Sequence, residues 1–225
     1  MTEIFGFGSG IDAVEPQGND KWWFFKNVQG QVYATCLRSS GGVAWGPKLI
    51  TSEGGWPALH GTTFAKHIDA VATSRDGWWF FSGRHAVKTN WAGDQKMKGP
   101  ELITAPDAYP AVEGTRLSQD VSALEGGAGD WWIFKNMDTQ VQAVCVDDTN
   151  KLWGPNPITD SKAWPALKGT IFENSIDGAS RSGDGSGWWF FSGYHAVRTN
   201  REGTSITKGP MDITAVEAFP DLKNL

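Results

Sequence analysis

Three tryptophans stand apart from both the Trp-Trp doublets and the Trp-Pro pairs of this chain. Trp45 and Trp153 each precede a Gly-Pro pair, and Trp91 follows Thr89-Asn90 and comes shortly before Asp94. An exposed indole beside amide or carboxylate groups is a plate for a sugar: the C–H face packs on the ring while neighbouring polar atoms bond the hydroxyls. Trp91 with Asn90 or Asp94 has that composition, as do Trp45 and Trp153 with nearby Asn or Asp. The competing reading is that each ring packs on an outer strand.

Two histidines form the second candidate group. His85 and His195 occupy matching segments, Ser82-Gly83-Arg84-His85 and Ser192-Gly193-Tyr194-His195, whereas His60 and His67 have no such counterparts. His85, Tyr194 and His195 are therefore candidate ligand contacts on turns, and a haem iron would need an accessible His of this kind. Catalysis has little to draw on. No Gly-x-Ser-x-Gly, His-Glu-x-x-His or Cys-x-x-Cys occurs, and Gly126-Gly127-Ala128-Gly129 precedes a strand pattern, so it reads as a flexible hairpin and not a phosphate loop. Cys36 and Cys145 are too few for a disulfide framework or a Cys-based zinc site and read as inert buried thiols.

The composition narrows the partners. The net charge of -5 argues against nonspecific nucleic-acid binding, which depends on neutralising phosphates. No apolar run approaches the roughly 20 residues of a membrane span. The segment Met1-Thr2-Glu3-Ile4-Phe5 lacks a basic region and a continuous apolar run, so the chain reads as leaderless and cytoplasmic.

The elements that position these residues follow from a repeat. Trp-Trp doublets begin at 22, 78, 131 and 188, and Gly-Pro pairs at 46, 99, 154 and 209. An aromatic-Pro pair closes each unit: Trp56-Pro57, Tyr109-Pro110, Trp164-Pro165 and Phe219-Pro220. An Ile/Val-Asp/Ser pair opens each: Ile11-Asp12, Ile68-Asp69, Val121-Ser122 and Ile176-Asp177. Such a period indicates a propeller, solenoid or array. The first and third units share Trp-Trp-x-Phe-Lys-Asn; the second and fourth share Trp-Trp-Phe-Phe-Ser-Gly-x-His-Ala-Val. A pseudo-twofold axis is therefore expected. Arg201 is the repeat-equivalent of Trp91, so the fold does not demand an aromatic residue there.

Within a unit, Ile11 to Val14 reads as a short strand and Lys21 to Lys26 as a strand buried on both faces; in the second and fourth units Ser82-Gly83 and Ser192-Gly193 turn the aromatic strand into its hairpin partner, His85 to Thr89 and His195 to Thr199. Gly-Pro with the residues after it reads as a short outer strand, and Trp56 to Leu59 as one helical turn with Pro at its start. The expectation is an all-β, four-bladed β-propeller over residues 1–225, with repeats at approximately 4–61, 62–114, 115–169 and 170–222. Phe7 precedes Ile11 by the interval that separates Phe64 from Ile68, so the N-terminal strand should close the ring against the last blade. The doublets should fill the wedges between blades.

At these residues the chain resembles the hemopexin-repeat family, whose units carry an aromatic-Pro, then Phe-x-x-x-Ile-Asp-Ala, then an aromatic strand. The match runs from Phe7 to Leu222, and is most similar to the leaderless albumin-2 type seed proteins and related single-domain members. The disulfide that joins first and last blades in secreted members has no counterpart here. The resemblance implies a central channel in which main-chain carbonyls hold a structural Ca²⁺ or Na⁺. The outer ring would be Asp12, Asp69, Ser122 and Asp177, the inner ring Val14, Val71, Leu124 and Ala179. The alternative for the Asp side chains is that they cap turns at the channel mouth. The resemblance also implies a non-enzymatic ligand-binding protein. Either it is lectin-like, with carbohydrate on its exposed Trp residues, or it carries haem or a polyamine as the seed albumins do, the polyamine near Asp12, Asp69 and Asp177. A third possibility is a protein-docking module, and a flat propeller face also suits a homodimer.

Overall fold

The computed structural model describes residues 6–126, 130–147 and 149–225. Four antiparallel sheets, each of four consecutive strands, form the blades. Blade 1 holds β1 (Ala13–Gln17), β2 (Lys21–Val28), β3 (Gln31–Arg38) and β4 (Val43–Leu49). Blade 2 holds β5 (Ala70–Ser74), β6 (Gly77–Ser82), β7 (His85–Thr89) and β8 (Lys96–Leu102). Blade 3 holds β9 (Ala123–Gly126), β10 (Asp130–Asn136), β11 (Val141–Asp147) and β12 (Leu152–Pro157). Blade 4 holds β13 (Gly178–Arg181), β14 (Gly187–Ser192), β15 (His195–Asn200) and β16 (Ile206–Asp212). The inner strands β1, β5, β9 and β13 pack side by side around the axis, so the chain is the expected four-bladed propeller.

Side chains alternate along a strand, and each doublet uses this alternation to serve two neighbours. Trp23 and Phe25 face blade 2, while Trp22 and Phe24 face blade 4. The aromatic of each aromatic-Pro pair is the wedge between two such faces. Trp56 touches Trp23 and Phe25 on one side, Trp78 and Phe80 on the other. Trp164 does the same between blades 3 and 4 with Trp132, Phe134, Trp188 and Phe190. Tyr109 and Phe219 fill the remaining two interfaces. Pro then starts a single 3-10 turn, Pro57–Leu59 in the first unit. The apolar core is accordingly four inter-blade clusters.

Ring closure combines two packings. β1 lies against β13, and Phe7 is buried with Ile213, Phe219 and Leu222 while its N–H donates to the Leu225 carbonyl at 3.0 Å. No strand is exchanged, because every blade is complete in itself. The outer strands correct the sequence expectation. They begin before Gly-Pro, which sits in mid-strand, and end before the buried Ile50, Ile103 and Ile213. The reason is a bulge: Gly46 has φ +76°, and a Cβ there would lie 2.4 Å from the Ala34 carbonyl oxygen, so only Gly allows β4 this approach to β3. Residues 1–5 of the leader reading and 127–129 of the Gly-rich hairpin lie outside the described residues.

The two kinds of unit differ because they make different joints. In odd blades an Asn clamps the next blade: Asn136 Nδ2 donates to the Ile176 carbonyl at 3.0 Å and its Oδ1 accepts the Ile176 N–H at 2.8 Å. Asn27 repeats this on Ile68. In even blades the Ser-Gly turn joins by main chain, Gly83 O accepting from Asp120 N at 2.7 Å and Gly193 O from Gly10 N at 3.0 Å. Asn136→Ala strands both Ile176 groups. The expected outcome in urea unfolding is a loss of about 1–3 kcal/mol, with the blade sheets retained by circular dichroism.

Candidate functional site

At one end of the axis, Asp12, Asp69, Ser122 and Asp177 surround a depression of about 280 Å³. Each side chain accepts a main-chain N–H of its own blade: Asn27 N to Asp12 Oδ2 at 2.7 Å, Gly83 N to Asp69 Oδ2 at 2.5 Å, Asn136 N to Ser122 Oγ at 3.0 Å and Gly193 N to Asp177 Oδ2 at 2.7 Å. The position thus requires a short acceptor, which Ser122 supplies as well as Asp. Burial holds the Asp12 and Asp177 carboxyls above the usual range, and hydrogen bonds from Asn27 and Gly193 limit the rise. No group of three or more His, Cys, Asp or Glu suited to a metal ion occurs among the described residues. Val14, Val71, Leu124 and Ala179 are buried on the inner strands.

Deeper in the ring lies a feature the sequence reading missed. Glu15 on β1 and Glu125 on β9 come from opposite blades, are buried, and have carboxyls in hydrogen-bonding reach of each other. Glu15 Oε1 accepts Thr73 N and Thr73 Oγ1, each at 2.6 Å, while Oε2 of both residues finds no donor among the described residues. Protonation of one carboxyl would supply the missing donor, in keeping with the raised values of both groups. Burial is the main cause that raises both carboxyls. The Glu125 charge adds to the rise at Glu15, while Arg181 opposes it at Glu125, which is pushed to about 8. Ala72 and Ser180 fill the equivalent positions in the even blades and leave room for the pair.

The main cleft lies between blades 3 and 4 and has a volume of about 710 Å³. Trp132, Trp164 and Trp188 form its aromatic side; Asp130, Lys162, Arg181, Arg201 and Glu202 form its polar side. Arg181 spans both, with Nη2 2.7 Å from Asp130 Oδ1 and its guanidinium 5.0 Å from the Trp188 ring centroid. The indole rings of Trp164 and Trp188 line this cleft at 2% and 5% exposure, and neither Nε1 donates a hydrogen bond among the described residues.

Most of these residues escaped the sequence reading because they belong to the doublets and aromatic-Pro pairs, which are also the packing positions. Trp153 touches the cleft wall, 5.4 Å from Trp132 between centroids. Trp45 makes the matching contact with Trp23 at 5.3 Å, and its Nε1 donates to the Glu53 carbonyl at 3.2 Å. Both rings are half-buried. Trp91 is 45% exposed and meets Trp78 edge to face at 5.7 Å. Asn90 Nδ2 donates to Asp94 Oδ1 at 2.7 Å, and Asn90 Oδ1 accepts from Gln95 N at 3.3 Å, so the two polar neighbours of Trp91 hold each other and their turn. His85, Tyr194 and His195 are exposed at turns of opposite blades, and the structure does not bring the two His together. The Cys36 and Cys145 thiols are free, and burial pushes each up to about 11, away from the reactive thiolate.

The Glu15–Glu125 pair sets a pH dependence. The folded protein keeps a proton that the unfolded chain releases above the ordinary value of 4.5. The contribution is therefore most favourable below pH 4.5 and is lost as the pH rises toward about 8. Thermal melts in chelator are expected to show the melting temperature falling across that window. Glu125→Gln, which brings its own N–H donor to Glu15, should flatten the slope; an unchanged slope removes the pair as its cause.

Neither a protein-family model nor a curated protein sequence matches the chain. Solved structures do. The hemopexin-fold protein CP4 from cow pea superposes with a TM-score of 0.78 at 24% identity, over 96% of this chain and 97% of that one. A plant albumin from Cicer arietinum showing hemagglutination gives 0.77 at 22%, over 96% and 98%. A Cicer arietinum plant lectin with two metal binding sites gives 0.76 at 22%, over 96% and 99%. With its ring of four sheets and this likeness along almost its whole length, the chain has the hemopexin fold of the plant seed albumins.

Proposed function

We propose that the chain is a non-enzymatic, lectin-like protein that binds carbohydrate in the cleft between blades 3 and 4. The observation that carries this reading is the cleft lining, which sets the indole rings of Trp132, Trp164 and Trp188 beside the charged rim of Asp130, Arg181, Arg201, Glu202 and Lys162. Sugars present C–H faces to aromatic rings and hydroxyls to such charged groups. Trp153 backs the wall through Trp132. Trp45, Trp91 with Asn90 and Asp94, and the exposed His85, Tyr194 and His195 are lesser candidate contacts. Support in kind comes from the Cicer arietinum proteins of the same fold, one showing hemagglutination and one a lectin.

A structural Ca²⁺ or Na⁺ on the axis is the second part of the reading. The side chains of Asp12, Asp69, Ser122 and Asp177 are already engaged by N–H groups, so main-chain carbonyls there and at Val14, Val71, Leu124 and Ala179 would hold it. The lectin with two metal binding sites supports a cation in this fold.

A glycan array with the wild-type chain and Arg201→Trp tests the first part. Blade 2 already carries Trp at the equivalent position, so the variant should fold while its ring fills the cleft. The expected result is a loss of affinity of about tenfold or more, the effect of about 1.4 kcal/mol. No binding on a broad array, with a Soret shift on haem titration, would sink the carbohydrate reading. For the ion, EDTA is expected to lower the melting temperature and added Ca²⁺ to restore it.

A further inference from the structure

The two halves of the molecule differ at their matching inter-blade joints in a way that repeat symmetry makes informative. Between blades 1 and 2, Trp56 and Trp78 occupy the positions of Trp164 and Trp188. They are 2% and 0% exposed, and neither indole N–H has an acceptor. The matching rings Trp164 and Trp188 are also largely buried, at 2% and 5% exposure, but only the Nε1 atoms of Trp56 and Trp78 are both fully enclosed and unpartnered, which costs free energy. The residue that separates the halves is Trp91, which stands where Arg201 borders the cleft and packs edge to face on Trp78.

We propose that Trp91 closes a second copy of the binding cleft, between blades 1 and 2, and that its side chain must swing out for a sugar to reach Trp56 and Trp78. This rests on the carbohydrate reading of the blade 3–4 cleft and extends it. The backbone is already in place. Ala58 N donates to the Gly93 carbonyl at 3.0 Å just as Ala166 N donates to the Gly203 carbonyl at 3.1 Å, so the loop under Trp91 sits as its open counterpart does. A Cβ at Gly93 or Gly203 would lie 2.3 or 2.4 Å from a carbonyl oxygen, which fixes both loops in this seat. The side chain is held more weakly: it is nearly half exposed and makes one long hydrogen bond, Nε1 to the Arg75 carbonyl at 3.4 Å. Opening it uncovers the Trp78 ring on which Trp91 packs, and Trp56 lies directly behind that ring at 5.0 Å between centroids. The rim differs, with Lys21 in place of Asp130, Gly54 in place of Lys162, Thr73 in place of Arg181 and Ala92 in place of Glu202, so that with Trp91 four of the five charged positions become uncharged and one carries a lysine, and Thr73 is already bound to Glu15. The closed site therefore suits a neutral sugar.

The test uses the full chain with ¹⁵N-labelled Trp, as wild type, Trp91→Arg and Arg201→Trp. Trp91→Arg copies the residue blade 4 already carries, so the fold tolerates it. Indole N–H exchange into D₂O reads the gate without any ligand. Trp56 and Trp78 are expected to exchange about tenfold or more faster in Trp91→Arg than in wild type; unchanged rates overturn the gate. Galactose and N-acetylglucosamine, titrated separately, read the site. In Trp91→Arg one of them should shift all four indole signals at twice the wild-type stoichiometry, and in Arg201→Trp the Trp164 and Trp188 shifts should vanish. Faster exchange with Trp56 and Trp78 silent to both sugars, while Trp164 and Trp188 respond, overturns the second site and leaves the first. Silence of all four indoles overturns the carbohydrate reading and the ligand assigned here with it.

Discussion

The edge-to-face contact between a wedge aromatic and the two doublet strands it separates is the interaction on which the molecule depends. Blades splay as they leave the axis, and the gap between them must be filled at interior density. A small side chain leaves that gap open. Trp56, Tyr109, Trp164 and Phe219 fill it, each touching rings of both neighbouring blades. Because the strand alternates, one Trp-Trp doublet supplies a ring to each of two interfaces. The unusual Trp content is a consequence of having only four blades, and hence four wide wedges.

Polar groups then fix the register that packing alone leaves loose. The Asn27 and Asn136 clamps tie odd blades to even ones, and the Ser-Gly turns tie even blades to odd ones through main chain. The short acceptor at each inner-strand entrance caps its own hairpin at the channel mouth. Beneath it, Glu15 and Glu125 join opposite blades across the axis. The ring is thus braced both around its circumference and along one diameter.

The cleft proposed to bind ligand is built on the same rings. Between blades 3 and 4 the wedge indoles line a depression, and charged residues on the flanking strands and loops complete a polar border. At the matching joint between blades 1 and 2, Trp91 packs on Trp78. On the proposed reading, structure and recognition share residues, and substitutions at the rim, such as at position 201, change recognition at less cost to the fold than substitutions in the wedge.

The sequence alone determined the architecture. Four sets of ordered marks gave the blade number, the doublets gave strands buried on both faces, and the Pro after each wedge aromatic gave the 3-10 turn, because these patterns are local or strictly periodic. It also singled out Trp91 as the odd member of its repeat. It misplaced the outer strands, since the close approach of Gly46 to the Ala34 carbonyl is a contact between strands and not a property of either. Only the tertiary structure assembled the candidate cleft. Trp132, Trp164 and Trp188 read as core in any one repeat, and it is the meeting of blades 3 and 4 that sets them beside Asp130, Arg181, Arg201 and Glu202. The Glu15–Glu125 pair was equally hidden, because residues 110 positions apart meet only when opposite blades close around one axis.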